Sequence, residues 1–278
     1  MMLWEEIVDR AGRMDVRTKD VFREEVQKAV LTALSQKGCF NDIVFQGGTA
    51  LRLFHGNPRF SEDIDLVLRE GVDSYDLSGY MPNVKRFVHN AFPFLGSTEV
   101  RVQKDGQDLQ RYILRTRSDN AEQDIRLHIE FAAVPSHRDR PRILDFPPFQ
   151  PAVRVEDAVE ILADKVVALA FRPYIKGRDL WDIYFLTKER SVELQWDLVW
   201  SKVEDYNELA SELVERLERA GEKIQEDGGS ILGRELERFL PVRVMDHYPS
   251  PHEPILGSVL ELISSVEGER EAIAHEGR

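Results

Sequence analysis

Two aspartates in one short segment are the residues of this chain best suited to chemistry. The segment reads FQGGTALRLFHGNPRFSEDIDLVL and spans 45–68. Asp63 and Asp65 lie two residues apart where the pattern predicts a strand, so both carboxylates project from the same face. Two carboxylates this close repel each other unless a cation lies between them. Because hard oxygen ligands favour Mg²⁺ or Mn²⁺, the pair predicts a divalent-metal site.

Two glycines in the same segment are suited to binding phosphate. Gly47 and Gly48 follow a predicted strand and precede a short helical stretch. Without a Cβ, glycine lets backbone N–H groups approach a phosphate at a helix start, and Thr49 adds a hydroxyl there. Two glycines alone are most often a turn, and an Asp-x-Asp pair alone is most often a solvated strand edge. Their combination is much rarer and favours a phosphate and metal site.

A third acid lies on a later predicted strand. Residues 125–131 alternate between apolar side chains and a polar face that carries His128 and Glu130. If this strand pairs beside the one that carries Asp63 and Asp65, three carboxylates converge, as nucleotidyl transfer requires. A single histidine on a half-buried strand is more often structural, and we expect that of His128.

Hydrophobic spacing predicts the elements that position these residues. It gives a helix after Thr18, then a set of strands with one helix among them: Ile43–Gln46, Asp63–Leu68, Thr98–Gln103, Gln110–Arg117 and Ile125–Phe131, with the helix at Asn83–Leu95. The five prolines of Pro135–Pro151 predict a loop or linker. Three helical stretches follow, Glu156–Phe171, Gly177–Lys188 and Trp196–Lys223, and the polar end, Glu267–Arg278, is expected to fray. The prediction is an α/β (α+β) domain over 1–150 and a helical domain over 151–278.

Composition excludes several classes of protein. Of the 278 residues, 42% are hydrophobic and 31% are charged, which excludes a disordered or fibrous chain. No apolar run approaches the ~20 residues that span a bilayer. The acidic N-terminus lacks the basic and apolar regions of a signal peptide, and the single cysteine, Cys39, allows no internal disulfide. We therefore expect a cytoplasmic protein without a membrane segment.

The net charge of −13 excludes a protein that relies on non-specific nucleic-acid binding over its whole surface. Binding would need a local basic surface or a metal-bridged site. Two stretches are rich enough in cations to supply such a surface: Arg101, Lys104, Arg111, Arg115 and Arg117 in one, and His137, Arg138, Arg140 and Arg142 in the other. Solvated charge that is balanced by nearby acids explains both stretches equally well.

Lys165 is the cation of greatest interest in the helical half. It lies among apolar residues of a predicted helix, where a lone cation is costly unless it is paired or serves a ligand. The alternative is that its long side chain reaches solvent. On the next helix, Arg178, Asp179 and Asp182 lie within about one turn, and an Arg178–Asp182 surface ion pair is the simplest explanation for them.

These motifs resemble a known family. GGTALRLFHGNPRFSEDIDL resembles the signature of the AbiEii/AbiGii nucleotidyltransferase toxins, within the DNA-polymerase-β-like nucleotidyltransferase superfamily, and is similar to the MenT-type toxins. Residues 160–186, EILADKVVALAFRPYIKGRDLWDIYFL, resemble the family's downstream motif, a lysine on one helix and an R/K-D-x-x-D pair on the next. The resemblance implies a polymerase-β-like domain with a mixed sheet, followed by a C-terminal helical domain that contributes nucleotide-binding residues.

The resemblance also implies roles for individual residues. The metal would be held by Asp63, Asp65 and Glu130. The nucleotide would be bound by residues of the glycine segment, the loop after it and the helical half: Gly47, Gly48, Thr49, Arg59, Ser61, Lys165, Asp179 and Asp182. Lys165 would contact the triphosphate, and it would be catalytic together with Asp182 and the three metal-binding acids.

The function implied is metal-dependent transfer of NMP from an NTP to an acceptor hydroxyl. Family resemblance makes the 3′ end of tRNA the favoured acceptor, bound at the basic stretches Arg111–Arg117 and His137–Arg142, and implies the toxin of a type IV-like toxin–antitoxin or abortive-infection system with a cognate antitoxin. Two alternatives stay open. One is the same chemistry on a small molecule or protein hydroxyl, which the negative net charge favours, and the other is a non-catalytic nucleotide-binding protein.

Overall fold

The chain divides into two units between Asp157 and Ala158. The computed structural model describes residues 2–250 and 252–266, so the stretch Glu267–Arg278, for which the sequence predicts fraying, lies outside the described residues. The first unit contains a mixed sheet with helices and the second is helical, which confirms the predicted fold class. Among the described residues, every helix is too short or too polar to cross a membrane.

Helices and strands alternate in the described part of the first unit. The helices are α1 (Trp4–Met14), α2 (Thr18–Ser35), α3 (Gly47–Phe54) and α4 (Met81–Ala91). The strands are β1 (Ile43–Gln46), β2 (Asp63–Arg69), β3 (Ser97–Asp105), β4 (Leu109–Arg117), β5 (Arg126–Ser136), β6 (Asp139–Ile143) and β7 (Ala152–Glu156).

These strands form one sheet in the order β3-β4-β5-β2-β1-β7-β6. Strand β2 runs parallel to β5 and β1 runs parallel to β7, whereas the other neighbours are antiparallel. The sheet is therefore mixed, as the resemblance implies. The strand that carries Glu130 lies directly beside the strand that carries Asp63 and Asp65.

Alternation along the strands separates an apolar face from a polar one. On β5, Leu127, Ile129 and Phe131 are fully buried, while the residues between them are partly exposed. Burying each such side chain contributes about 1.5–3 kcal/mol, so the register of β5 is strongly fixed. Helix α2, most of which is buried, packs on α4. The residues that could do chemistry lie on the polar face of the sheet.

The prediction of a loop over Pro135–Pro151 is wrong for residues 135–143, which are largely in strands, and is confirmed for residues 144–151. Strand β5 continues to Ser136, β6 follows at once, and β6 pairs with β7, which in turn pairs with β1. Because β6 forms an edge of the sheet, Pro141 is tolerated there, since edge strands accommodate a missing N–H donor. The proposed boundary at 150/151 therefore precedes a strand that belongs to the first unit.

The second unit is helical throughout its described part. Its helices are α5 (Ala158–Phe171), α6 (Gly177–Tyr184), α7 (Trp196–Asp205), α8 (Leu213–Phe239), α9 (Val242–Met245) and α10 (Glu253–Ser264). The single helix predicted over Trp196–Lys223 is two helices, because the chain turns at Asn207, which adopts a left-handed φ of 56°. Helix α6 packs closely on α8, whose Glu235 carboxylate accepts a hydrogen bond of 2.9 Å from the backbone N–H of Arg178.

Candidate active site

Strand register brings the predicted acids onto one face of the sheet. Asp65 is the cross-strand partner of Glu130, and Asp63 is the partner of His128. On the other side of β5, Glu130 is the partner of Arg111. Because cross-strand partners point to the same face, these five side chains form one polar cluster.

His128 contacts the first of the two aspartates. Its Nδ1 lies 3.1 Å from Oδ1 of Asp63, and because an ionised carboxylate only accepts, Nδ1 carries the proton of this contact. The other ring nitrogen, Nε2, is buried and has no hydrogen-bond partner among the described residues. His128 therefore orients Asp63, a role beyond the structural one expected of it. The sequence indicated this role only by placing His128 on the same polar strand face as Glu130.

Arg111 is an internal counter-ion for the acids. Its Nε donates a hydrogen bond of 2.5 Å to Oε2 of Glu130. This hydrogen bond raises the pKa of Arg111; partial burial opposes the rise, and the charges of Glu130, Asp63 and Asp65 add to it. With Glu130 held in this way, no three Asp, Glu, His or Cys side chains within 2–250 and 252–266 are arranged as a metal-ligand set. The structure thus aligns the three carboxylates and pairs the third with a cation.

Gly47 makes room for Asp65. A Cβ at position 47 would lie 2.6 Å from Oδ2 of Asp65, well inside contact distance. Its φ of 78° is also in the left-handed region that favours glycine. The first glycine therefore lets a carboxylate lie directly against the start of α3, where backbone N–H groups are available.

Gly48 makes room for the loop that precedes the acids. A Cβ there would lie 2.5 Å from Nη2 of Arg59 and 3.0 Å from Oγ of Ser61. The Arg59 side chain is buried, and its Nη1 donates to the backbone carbonyl of Phe60 at 2.9 Å. Arg59 and Ser61, the two predicted loop residues, thus pack against the glycine turn, and Arg59 does so as a buried side chain.

Thr49 links the glycine turn to the strand of acids. Its side chain is fully buried, and its hydroxyl donates to the backbone carbonyl of Asp63. The hydroxyl proton is committed to this bond, so Thr49 positions β2, in contrast to the phosphate contact expected of it. From α2, Gln27 Nε2 donates to Thr49 Oγ1 at 3.5 Å and to the carbonyl of Ser61 at 3.0 Å. Sequence reasoning missed Gln27, whose only signal is a polar residue inside an otherwise buried helix.

An arginine that sequence reasoning also missed holds the loop before the acids. Arg52 Nε donates to Glu24 Oε2 at 2.6 Å, and its Nη1 donates to the carbonyl of Pro58 at 2.9 Å. Its guanidinium lies 4.0 Å from the centroid of the Phe60 ring. Burial acts to raise the pKa of Glu24, but the charges of Arg52 and Lys28 outweigh it and lower that pKa. The loop is therefore fixed by a buried, ionised pair.

In the second unit, Lys165 is held by two buried carboxylates. Its Nζ lies 2.7 Å from Asp179 Oδ1 and 3.0 Å from Asp182 Oδ2, and Arg172 also pairs with Asp179. Burial alone would raise the pKa of Asp179, but the charges of Lys165 and Arg172 hold it well below its usual value. Because Asp182 is fully buried, an exposed ion pair does not describe this cluster. The structure brings together all three predicted residues of this unit.

The two basic stretches lie at opposite edges of the sheet. The first is on β3 and β4, beside the acids, and the second leads into β6 at the far edge. Within the second stretch, Arg140 pairs with Asp157 at 2.8 Å, and Arg142 donates to the carbonyl of Phe54 at 3.1 Å. In the second stretch, Arg140 is therefore paired with an acid, whereas the contact of Arg142 with a neutral carbonyl does not compensate its charge.

The mixed sheet and its aligned acids form the arrangement that the sequence resemblance implies. The family model described as "Nucleotidyl transferase AbiEii toxin, Type IV TA system" matches residues 29–245. The chain belongs to this AbiEii family, and it is a nucleotidyltransferase. None of the curated proteins matches the chain significantly.

Two crystal structures share the fold. JHP933 from Helicobacter pylori is 18% identical, with a TM-score of 0.56 over 93% of this chain and 98% of that one. A second H. pylori protein, provisionally assigned as a nucleotidyltransferase, is 19% identical, with a TM-score of 0.50 over 90% of this chain and 96% of that one. At these identities the likeness establishes the fold alone.

Replacing Gly47 by alanine is expected to lower activity sharply by displacing Asp65. The added Cβ clashes with the carboxylate, and the left-handed backbone adds strain of about 1–3 kcal/mol. Gly56→Ala is the matched control, because Gly56 has a φ of 81° but no atom within 4 Å of its Cβ position. Denaturant unfolding and NMP transfer are measured for both variants. Equal loss of activity in the two would show that backbone strain, not the position of Asp65, is responsible.

Replacing Arg111 by glutamine is expected to make stability depend on divalent cations. Without the guanidinium, Glu130 faces two aspartates without a counter-charge; because both partners are about one third exposed, we expect the free energy of unfolding to fall by up to about 1 kcal/mol in EDTA. Added Mg²⁺ is expected to restore much of this loss. Arg115→Gln, on the same face of β4, removes the same charge from a residue that makes no ion pair among the described residues. A loss in Arg111→Gln that Mg²⁺ leaves unchanged would contradict the counter-ion role.

Replacing Lys165 by methionine is expected to destabilise the protein by about 3–5 kcal/mol at pH 7, because the buried Asp182 loses this cation and Asp179 keeps Arg172. A carboxyl with a lowered pKa contributes stability above its unfolded pKa and loses it as the pH falls. The deficit is therefore expected to shrink as the pH falls below about 4, where the wild-type protein loses this contribution as its carboxyls protonate. Lys188→Met, which breaks an exposed pair with Glu261, is the control and should cost under about 1 kcal/mol. A deficit independent of pH would contradict this electrostatic origin.

Proposed function

We propose that this nucleotidyltransferase transfers NMP from an NTP to an acceptor hydroxyl in a divalent-metal-dependent reaction. The observation that carries the proposal is the alignment of Asp63, Asp65 and Glu130 on one sheet face, against the turn formed by Gly47 and Gly48. Nucleotidyltransferases of this kind generally depend on a divalent metal. Transfer of a nucleotide requires carboxylates that can hold a metal, next to a turn that can bind phosphate.

The donor set suits Mg²⁺ or Mn²⁺. Asp63 and Asp65 supply hard carboxylate oxygens from one face of β2, and His128 fixes the orientation of Asp63. These two aspartates would hold the ion, and Glu130 would join them once its carboxylate leaves Arg111. When bound, the ion neutralises phosphate charge and lowers the pKa of the attacking hydroxyl.

Side chains and backbone groups of the chain are proposed to bind the nucleotide and to accept the proton of the acceptor hydroxyl. Backbone N–H groups of Gly47 and Gly48, at the start of α3, would bind phosphate oxygens, with Thr49, Arg59 and Ser61 holding that turn in place. The acceptor oxygen bonds to the α-phosphorus as the bond to the β-phosphate oxygen breaks, and pyrophosphate leaves. Glu130 is proposed to accept the proton of the acceptor hydroxyl.

Lys165 is proposed to contact the triphosphate, as the family motif implies. Within its own unit it is held by Asp179 and Asp182, which fix the position of the ammonium group. A buried lysine held by two carboxylates is a rigid point charge, and such a charge suits the β- and γ-phosphates.

The proposed acceptor is the 3′ end of tRNA, modified in the cytoplasm by a toxin whose cognate antitoxin controls it. Family membership supports the toxin role, an NTP substrate and an antitoxin partner. The net charge of −13 favours instead a small molecule or a protein hydroxyl as acceptor. A non-catalytic nucleotide-binding protein is the more distant alternative, disfavoured because the acids and the glycine turn are all present.

Transfer to tRNA is expected with one preferred NTP and to depend on Asp63. Each of the four α-³²P-labelled NTPs is incubated with Mg²⁺, total tRNA and either the wild-type protein or Asp63→Ala. Loss of this metal ligand should reduce labelling by more than about a hundred-fold, since even second-shell partners of metal ligands contribute about 10- to 100-fold. Glu70→Gln, just beyond β2, is the control and should label normally. Label in protein or small molecules, or bound NTP without transfer, would support one of the two alternatives.

A further inference from the structure

The face of the sheet that carries the acids continues into a row of cations. Along β4, Arg111, Arg115 and Arg117 alternate with buried residues and share a face with Glu130. Cross-strand pairing adds one cation from β5 and two from β3 to the same face. We call this set the cationic face: Arg101, Lys104, Arg111, Arg115, Arg117 and Arg126.

The cationic face is positive in a strongly acidic chain. Two acids lie on it, Glu99 and Glu130, and they pair with Arg101 and Arg111 respectively. The other cations make no ion pair within the described residues: Lys104, Arg115, Arg117 and Arg126. A surplus of positive charge on one face of a chain with a net charge of −13 points to a polyanionic ligand.

The geometry connects this surplus to the acids. Lys104, Arg111, Glu130 and Asp65 are successive cross-strand partners on β3, β4, β5 and β2. Since neighbouring strands lie about 4.8 Å apart, this row spans about 14 Å. An extended nucleic-acid strand lying along the row would reach the acids with its end.

The composition of the face favours a phosphate backbone over a protein partner. Ile113 is the apolar side chain between Arg111 and Arg115 on this face of β4. Protein interfaces place apolar and aromatic side chains at their centre, whereas contacts to nucleic-acid backbones are made largely by arginine and lysine. The face therefore suits a strand of phosphates better than it suits an antitoxin.

We propose that the cationic face is the docking surface for an acceptor RNA. It binds the backbone phosphates next to the 3′-terminal nucleotide and so delivers the 3′-hydroxyl to Asp63 and Asp65. This inference rests on the proposed function, and it restricts the RNA site to the β3–β4–β5 side of the sheet. Contacts to phosphates carry no sequence information, so discrimination among RNAs arises from other contacts.

The test compares two double variants with the same change in net charge. Arg115→Glu with Arg126→Glu reverses two unpaired cations of the face, and neither residue belongs to the proposed catalytic set. Lys37→Glu with Lys85→Glu reverses two exposed lysines of the same unit that lie outside the face and make no ion pair in the described part. Binding of fluorescein-labelled tRNA is measured by anisotropy in EDTA without NTP, over a series of salt concentrations.

The face variant is expected to bind tRNA at least about ten-fold more weakly than wild type, and the control variant is expected to match wild type. The slope of log Kd against log salt should become shallower by about 1 to 2, the amount expected for two lost phosphate contacts. NTP affinity with Mg²⁺ should be unchanged, which also shows that the variant is folded. Arg115→Gln with Arg126→Gln is a milder second variant and should show a smaller loss in the same direction.

Other outcomes would overturn the inference in distinguishable ways. Equal weakening in both double variants would assign the effect to net charge alone. Unchanged affinity and RNA labelling in the face variant would place the acceptor elsewhere and leave the proposed function intact. If the wild-type protein neither binds nor labels RNA but labels a protein or small molecule, the proposed acceptor fails and this inference fails with it.

Discussion

Mutual repulsion among three carboxylates on one face of a sheet is the constraint on which the rest of the first unit depends. Asp63 and Asp65 are fixed on one face by the strand period, and the parallel pairing of β2 and β5 adds Glu130. The structure meets this repulsion with a different neighbour for each acid. His128 contacts Asp63, the backbone of Gly47 receives Asp65, and Arg111 pairs with Glu130.

A buried polar network keeps this arrangement in place. Helix α2 contributes Gln27, which holds the glycine turn and the loop before the acids at once. One turn earlier, Glu24 holds Arg52, which spans the same loop. A buried polar network is costly when some of its hydrogen bonds are missing and rigid when all are made. Helix α2 therefore helps to hold the glycine turn and the loop in fixed positions. The described α2 thus does more than fill the core.

The sequence predicted those features that depend on residues close together along the chain. The alternation of β5 and the Gly-Gly and Asp-x-Asp spacing indicated the strand, the acids and the family. Strand β6 was missed because Pro141 lowers its strand propensity, and only the sheet's edge position makes this proline acceptable. Strand β7 has no proline and was missed because the chain after Pro151 was predicted to be helical. The roles of Thr49, Gln27 and Arg111 could not be predicted either. Each depends on which side chain lies across a strand or a helix, and spacing along the chain does not contain that information.

The pairing of Glu130 with Arg111 has a consequence for the charge balance of the first unit. Because Arg111 carries the opposite charge to Glu130, that one carboxylate of the three is compensated within the chain. The first unit thus carries within its own fold part of the positive charge that its clustered acids call for, and the strand pairing of β4 with β5 fixes where that charge lies.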